Sequence, residues 1–228
     1  MSSGLIAELD KAFTAQADPA RAVGARAYMR DQFEFYGIRS PALAAIARTV
    51  TAKRARPTDR ELVATVRACW RRPQREWQYF ACGYLRSNVR GRRAGLLQTV
   101  ETLIISKSWW DTVDTLASHT VGGLVTEHAA LVATMDEWID SDNFWLARTA
   151  ILHQLGYKKR TDADRLFAYC SRRADDREFF IRKSIGWALR EYSKTDERAV
   201  RRFVRANANT LSPLSQREAL KWLERRAL

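Results

Sequence analysis

Trp110 and Asp114 stand four residues apart in Ser108-Trp109-Trp110-Asp111-Thr112-Val113-Asp114, so a helix would place carboxylate and indole one turn apart on one face. A carboxylate there can stabilise developing positive charge or orient a water, and an indole face attracts cationic groups. Further along, Lys183, Trp187, Arg190 and Lys194 recur at i, i+4, i+7 and i+11. A basic stripe interrupted by an indole suits a phosphate backbone, with the ring free to meet a sugar or base. Each feature has an ordinary structural counterpart. Helical tryptophans are most often core, a single aspartate is usually solvated or capping, and Glu178 and Glu191 dilute the stripe. Their combination in a very basic chain is what points to polyanion chemistry.

The chain carries 39 Lys+Arg against 26 Asp+Glu, a net charge of +13 that favours a nucleic acid partner first and an anionic membrane surface second. No apolar run approaches the ~18 residues of a membrane span. The N-terminal MSSGLIAELDKAF lacks the basic and apolar regions of a signal peptide, so a cytoplasmic protein, nucleoid-associated through DNA, is expected. Cys69, Cys82 and Cys170 are odd in number and scattered in apolar helical surroundings, which reads as buried thiols without a disulfide framework or zinc site. His119, His128 and His153 form no ligand-like cluster, and no Gly-rich phosphate loop occurs. Neither a metal nor a cofactor is expected.

The elements that must position these residues read as helices. Of 228 residues 46% are hydrophobic, enough for a sizeable core, while only 10 Gly and 5 Pro disfavour a many-stranded sandwich or barrel. Ser40-Pro41 and Ser212-Pro213 read as an N-cap followed by an N1 proline. Thr161 with Asp164 resembles a capping box, and Asp18-Pro19, Arg72-Pro73 and Asp140-Ser141-Asp142-Asn143 mark further boundaries. About a dozen helices and no linker predict one all-α domain over residues 1–228.

The chain also repeats. Ser108-Trp109-Trp110 aligns with Asn143-Phe144-Trp145 and with Glu178-Phe179-Phe180, at an offset of 35 residues each time, and a weaker copy starts at Glu76-Trp77. Each copy reads as a cap-like residue, an aromatic pair that packs between repeats, and a helix. This period predicts a HEAT-like helical-repeat solenoid with a concave basic DNA-binding groove. In this register the sixth position holds Val113, Arg148 and Lys183, and the seventh holds Asp114, Thr149 and Ser184.

The stretch SKSWWDTVD, followed by SDNFWLARTAILHQLGYKK and REFFIRKSIGWALREYSKT, closely resembles the AlkD-type alkylpurine DNA glycosylases. ARAYMRDQFEFYGIRSPA and LSPLSQREALK are similar to the family as well, so the resemblance runs over most of the chain. It implies HEAT-like repeats that hold duplex DNA and excision of cationic N3- and N7-alkylated purines (3-methyladenine, 7-methylguanine) without base flipping. It further implies Trp110, Asp114 and Trp187 as the active-site trio, Arg148 as a contact to a flanking phosphate, and Tyr28 as a residue that approaches the lesion-bearing duplex. Arg39 in GIRSP stands where relatives carry glutamine, although an arginine also suits an electronegative minor groove.

The chemistry is coherent. An alkylated purine departs neutral, the deoxyribose gains oxocarbenium character, and Asp114 would stabilise that charge. No lysine is placed by motif as a Schiff-base nucleophile, so a monofunctional enzyme acting as a monomer and leaving an abasic site is expected. The competing reading is a non-catalytic HEAT-like DNA-binding or scaffold module. An unbalanced Asp114 carboxylate facing a polyanion counts against it.

Overall fold

A computed structural model describes residues 2–226, with side chains described from 4 to 225. It falls into two compact units that divide between Thr99 and Val100. The first holds α1 (Ser2–Ala15), α2 (Pro19–Tyr28), α3 (Ser40–Thr51), α4 (Asp59–Arg71) and α5 (Arg75–Asn88), and α6 (Leu96–Ile104) spans the division. The second holds α7 (Trp110–Thr115), α8 (Gly122–Glu127), α9 (Val132–Trp138), α10 (Phe144–Leu152), α11 (Ala163–Arg172), α12 (Phe179–Ser193), α13 (Glu197–Ala206) and α14 (Pro213–Arg226). A π-helical turn, Leu116–Val121, joins α7 to α8. Among the described residues there is no strand, only an isolated parallel bridge between Glu34 and Gln74. The all-α expectation holds.

Helices α3, α5, α7, α10, α12 and α14 begin at residues 40, 75, 110, 144, 179 and 213, a start every 34 or 35 residues. The repeat is therefore longer than the aromatic pairs reveal. In the second unit α7, α10, α12 and α14 touch in succession, and α9, α11 and α13 pack against them as a second layer.

Most boundaries follow local capping chemistry. Asp18, Asn143, Glu178 and Ser212 accept the backbone N–H of Arg21, Trp145, Phe180 and Ser215 at 3.0–3.1 Å. Three starts differ from expectation. The Thr161 hydroxyl donates to the Lys158 carbonyl at 2.8 Å, so Asp162 caps α11 instead, accepting from Arg165 N–H at 3.0 Å. Arg39 rather than Ser40 occupies the α3 cap, without a side-chain bond. Ser108 caps nothing: its hydroxyl donates to the Ile104 carbonyl at 2.6 Å and closes α6, so α7 begins at Trp110.

The three cysteines are buried, with burial pushing the Cys69 thiol up to about 12 and Cys170 likewise upward. His153 is buried too, and desolvation lowers it to about 4, leaving a neutral ring. In the first unit Trp77 is fully buried, edge-on to Phe13 at 4.9 Å. Beside it the buried Glu76 carboxylate accepts the N–H groups of Tyr36 (3.1 Å), Gly37 (2.9 Å) and Ile38 (3.1 Å). Gly37 has φ +83°, and a Cβ there would stand 2.2 Å from the Asp18 carbonyl oxygen. This loop fixes the entry to α3 and leaves Arg39 exposed.

Glu76→Met would strip three N–H groups of their acceptor, at about 1–3 kcal/mol for each donor left buried. The expected outcome in denaturant unfolding is a loss of several kcal/mol, and Glu76→Gln, which keeps one oxygen, should lose less. A wild-type midpoint for Glu76→Met would show that the loop does not depend on this carboxylate.

Candidate active site

Because α7 starts at Trp110, the repeat register shifts by one residue. Asp114, Arg148 and Lys183 are each the fifth residue of their helices α7, α10 and α12. The alignment that paired Asp114 with Thr149 and Ser184 is corrected accordingly. Thr149 and Ser184 turn inward and donate to the Trp145 and Ile181 carbonyls at 2.8 and 2.7 Å, and Val113 is fully buried.

The row brings opposite charges together on neighbouring helices. Arg148 Nε donates to Asp114 Oδ1 at 2.7 Å and Nη2 to Oδ2 at 2.8 Å, a two-pronged grip that fixes the carboxylate plane. Its third nitrogen, Nη1, donates to the Phe180 carbonyl of α12. The Arg148 side chain is only 4% exposed and that of Asp114 13%. Each nitrogen of Arg148 thus donates to a protein acceptor, and the expected contact with a flanking phosphate is left to its two remaining N–H groups. Asp114 is not an unbalanced charge. Burial pushes its carboxyl above the usual aspartate range, opposed by the Arg148 hydrogen bonds and charge and reinforced by the charge of Asp111.

Aromatic rings form the wall behind this pair. Trp109 meets Phe180 edge-on at 5.1 Å, Trp145 lies 4.9 Å from Phe180, and Phe144 lies 4.6 Å from Trp145. Trp109, Phe144, Trp145 and Phe180 thus pack between repeats, as expected, whereas Phe179 is 54% exposed. Trp110 and Trp187 stay half-buried on α7 and α12. Beyond Asp114, Ser118 in the π turn donates to the Asp114 backbone carbonyl at 2.7 Å. A Cβ on Gly122 would stand 2.3 Å from the carbonyl of His153, the C-cap of α10, so the rod formed by α7, the π turn and α8 lies directly against the end of α10.

The basic stripe on α12 is not a bare row of charges. Lys183 binds Glu218 of α14 at 2.7 Å, Arg190 binds the other oxygen of Glu218, and Lys194 binds Glu191 at 2.5 Å. The dilution by Glu191 had a local signal, whereas Glu218, 35 residues from Lys183, had none. Tyr28, 70% exposed, and Arg39, also exposed, belong to the first unit. Among the described residues no group of three His, Cys, Asp or Glu could hold a metal ion, and no helix is long and apolar enough to cross a membrane.

A family profile described as DNA alkylation repair enzyme matches residues 9–223. Among solved structures the chain is similar to one described as a predicted DNA alkylation repair enzyme from Enterococcus faecalis. The two share 32% identity with a TM-score of 0.84, over 91% of this chain and 97% of that one. None of the curated proteins matches.

A carboxyl-carbon NMR titration tests the electrostatics of the pair. Asp114 should ionise above the ordinary aspartate value, and Arg148→Met should move the midpoint further up, because the cation that favours the charged form is gone. A wild-type midpoint below the ordinary value would mean that Arg148, not burial, dominates.

Proposed function

We propose that this chain, which belongs to the DNA alkylation repair enzyme family, is a monofunctional DNA glycosylase. In this reading it hydrolyses the N-glycosidic bond of cationic N3- or N7-alkylated purines in duplex DNA without flipping the base and leaves an abasic site. The observation that carries it is the Asp114 carboxylate, held by two hydrogen bonds from a buried arginine in a chain of net charge +13.

As the C1′–N bond breaks, its electrons pass to the cationic purine, which leaves neutral, and positive charge develops on the deoxyribose. Asp114 stabilises that charge and orients the water that adds to C1′, whose proton then passes to bulk solvent. Arg148 occupies one direction at each carboxylate oxygen and leaves the remaining lone pairs for sugar and water. It acts as a positioning residue. Trp110 and Trp187 offer π faces to the cationic sugar and lesion, worth about 0.5–2 kcal/mol each. Tyr28, Arg39, Lys183, Arg190 and Lys194 are the proposed duplex contacts. The enzyme acts as a cytoplasmic monomer without a cofactor.

The alternative is a non-catalytic DNA-binding or scaffold module. Because Arg148 neutralises Asp114, charge repulsion no longer argues against it, and activity must decide. Purified protein should release free alkylated purine from methylated duplex DNA, and Asp114→Asn should cut that release by about 100- to 1,000-fold while still binding DNA. Wild-type protein that binds DNA in a salt-sensitive manner but releases no base would leave only the module. Borohydride should trap no enzyme–DNA adduct; high-yield trapping would contradict the monofunctional assignment.

The pH profile gives a separate check. Release should rise with pH through one ionisation above the ordinary aspartate value, and Arg148→Met should shift that limb upward. A limb that stays fixed in Arg148→Met would mean that the titrating group is not Asp114.

A further inference from the structure

Glu218 of α14 sits between two of the cations proposed to meet the duplex. Its side chain is 12% exposed and accepts from Lys183 Nζ at 2.7 Å and from Arg190, with Lys221 Nζ at 3.7 Å. The placement is built into the backbone. Gly186 lies three residues after Lys183 and four before Arg190, on the same face of α12. A Cβ on Gly186 would stand 2.5 Å from Glu218 Cβ and 2.9 Å from the Ser215 carbonyl oxygen, so α14 meets α12 at the one residue without a side chain. Ser215 fixes the register by donating its hydroxyl to the Arg182 carbonyl at 3.0 Å. The hydrogen bond from Lys183, with the nearby cations, holds the Glu218 carboxyl below the usual glutamate range, so it stays charged.

A simple helix clasp would not need this charge, because an apolar contact at Gly186 holds two helices as well as a desolvated ion pair does. Lys183 and Arg190 remain 39% and 25% exposed, within reach of a phosphate that can displace the carboxylate. We propose that Glu218 is a specificity-determining residue. It keeps Lys183 and Arg190 neutralised against undamaged duplex and yields them only where lesion contacts add enough binding free energy to displace it. This rests on the duplex-binding reading given above. Phosphate contacts that must first displace a carboxylate release fewer counterions, so binding to undamaged DNA is kept weak.

The test is equilibrium binding of Glu218→Gln to undamaged duplex between 50 and 200 mM salt, with base release measured against undamaged competitor. The slope of log affinity on log salt should steepen by about 0.9 for one freed cation and about 1.8 for two. Affinity at low salt should rise several-fold, and the competitor concentration that halves release should fall by a similar factor. The Lys183→Met/Arg190→Met pair tests the same idea without touching Glu218. It should barely change the slope on undamaged DNA, yet weaken binding to lesion-bearing duplex.

An unchanged slope and competitor sensitivity in Glu218→Gln, whatever its unfolding temperature, would reduce Glu218 to a clasp. A slope loss near 1.8 in the double variant would overturn the proposal too, because those cations would already be serving phosphates on undamaged DNA. Wild-type protein without salt-dependent duplex binding would sink the duplex reading and this inference together. Wild-type binding with an unaltered Glu218→Gln would sink the inference alone.

Discussion

One guanidinium holds the candidate site together. Arg148 grips both oxygens of Asp114 on α7 and the Phe180 carbonyl on α12, while its own backbone belongs to α10. Three consecutive repeat helices thus converge on a single side chain. A desolvated ion pair of this kind adds little net stability, since the cost of removing both charges from water offsets their attraction. Its gain is positional. A carboxylate with both oxygens engaged by one planar guanidinium cannot rotate, so its orientation is fixed.

Repetition explains how such a site can be assembled. Equivalent positions of successive repeats share one face, so the fifth residues of α7, α10 and α12 form a row without special loop geometry. Changing residue type along that row changes the chemistry while the frame stays put. Asp114 and Arg148 form one charge pair, and Lys183 finds its acid in the next helix, at Glu218. The aromatic residues at the helix starts take the opposite part. They pack against one another between the repeats, with the Phe180 ring 5.9 Å from the Arg148 guanidinium, while burial raises the Asp114 carboxyl.

The all-helical fold and the 35-residue period were legible because aromatic pairs at helix starts recur visibly. The starts of α3 and α14 carry no such pair and that of α5 only a faint echo at Trp77, so both ends of the repeat were hidden. The one-turn spacing of Trp110 and Asp114 was legible in the sequence, but the partner of Arg148 was not. That partner lies 34 residues away, and local spacing carries no information on whether an arginine faces a phosphate or a carboxylate. Ser108 misled for a comparable reason. A serine between two helices can cap the second or close the first, and here its hydroxyl reaches the Ile104 carbonyl behind it. Glu76 looks like a repeat marker in sequence, yet in the fold it serves as the acceptor for three backbone amides of a distant loop.

The π turn after Asp114 had no sequence signature, and its geometric consequence is specific. The rod from α7 to α8 must meet α10 twice, through Asp114 at Arg148 and through Gly122 at the His153 carbonyl. In an unbroken α-helix eight residues turn through about 800°, which leaves those two positions about 80° apart around the axis. A π turn accommodates roughly one extra residue and returns about 100°, bringing the two positions to within about 20° of one line. The wide turn thus sets the carboxylate and the glycine on nearly the same side of the segment. The glycine contact lets the rod lie close enough for a short arginine bridge, and the π turn lets the carboxylate face that bridge.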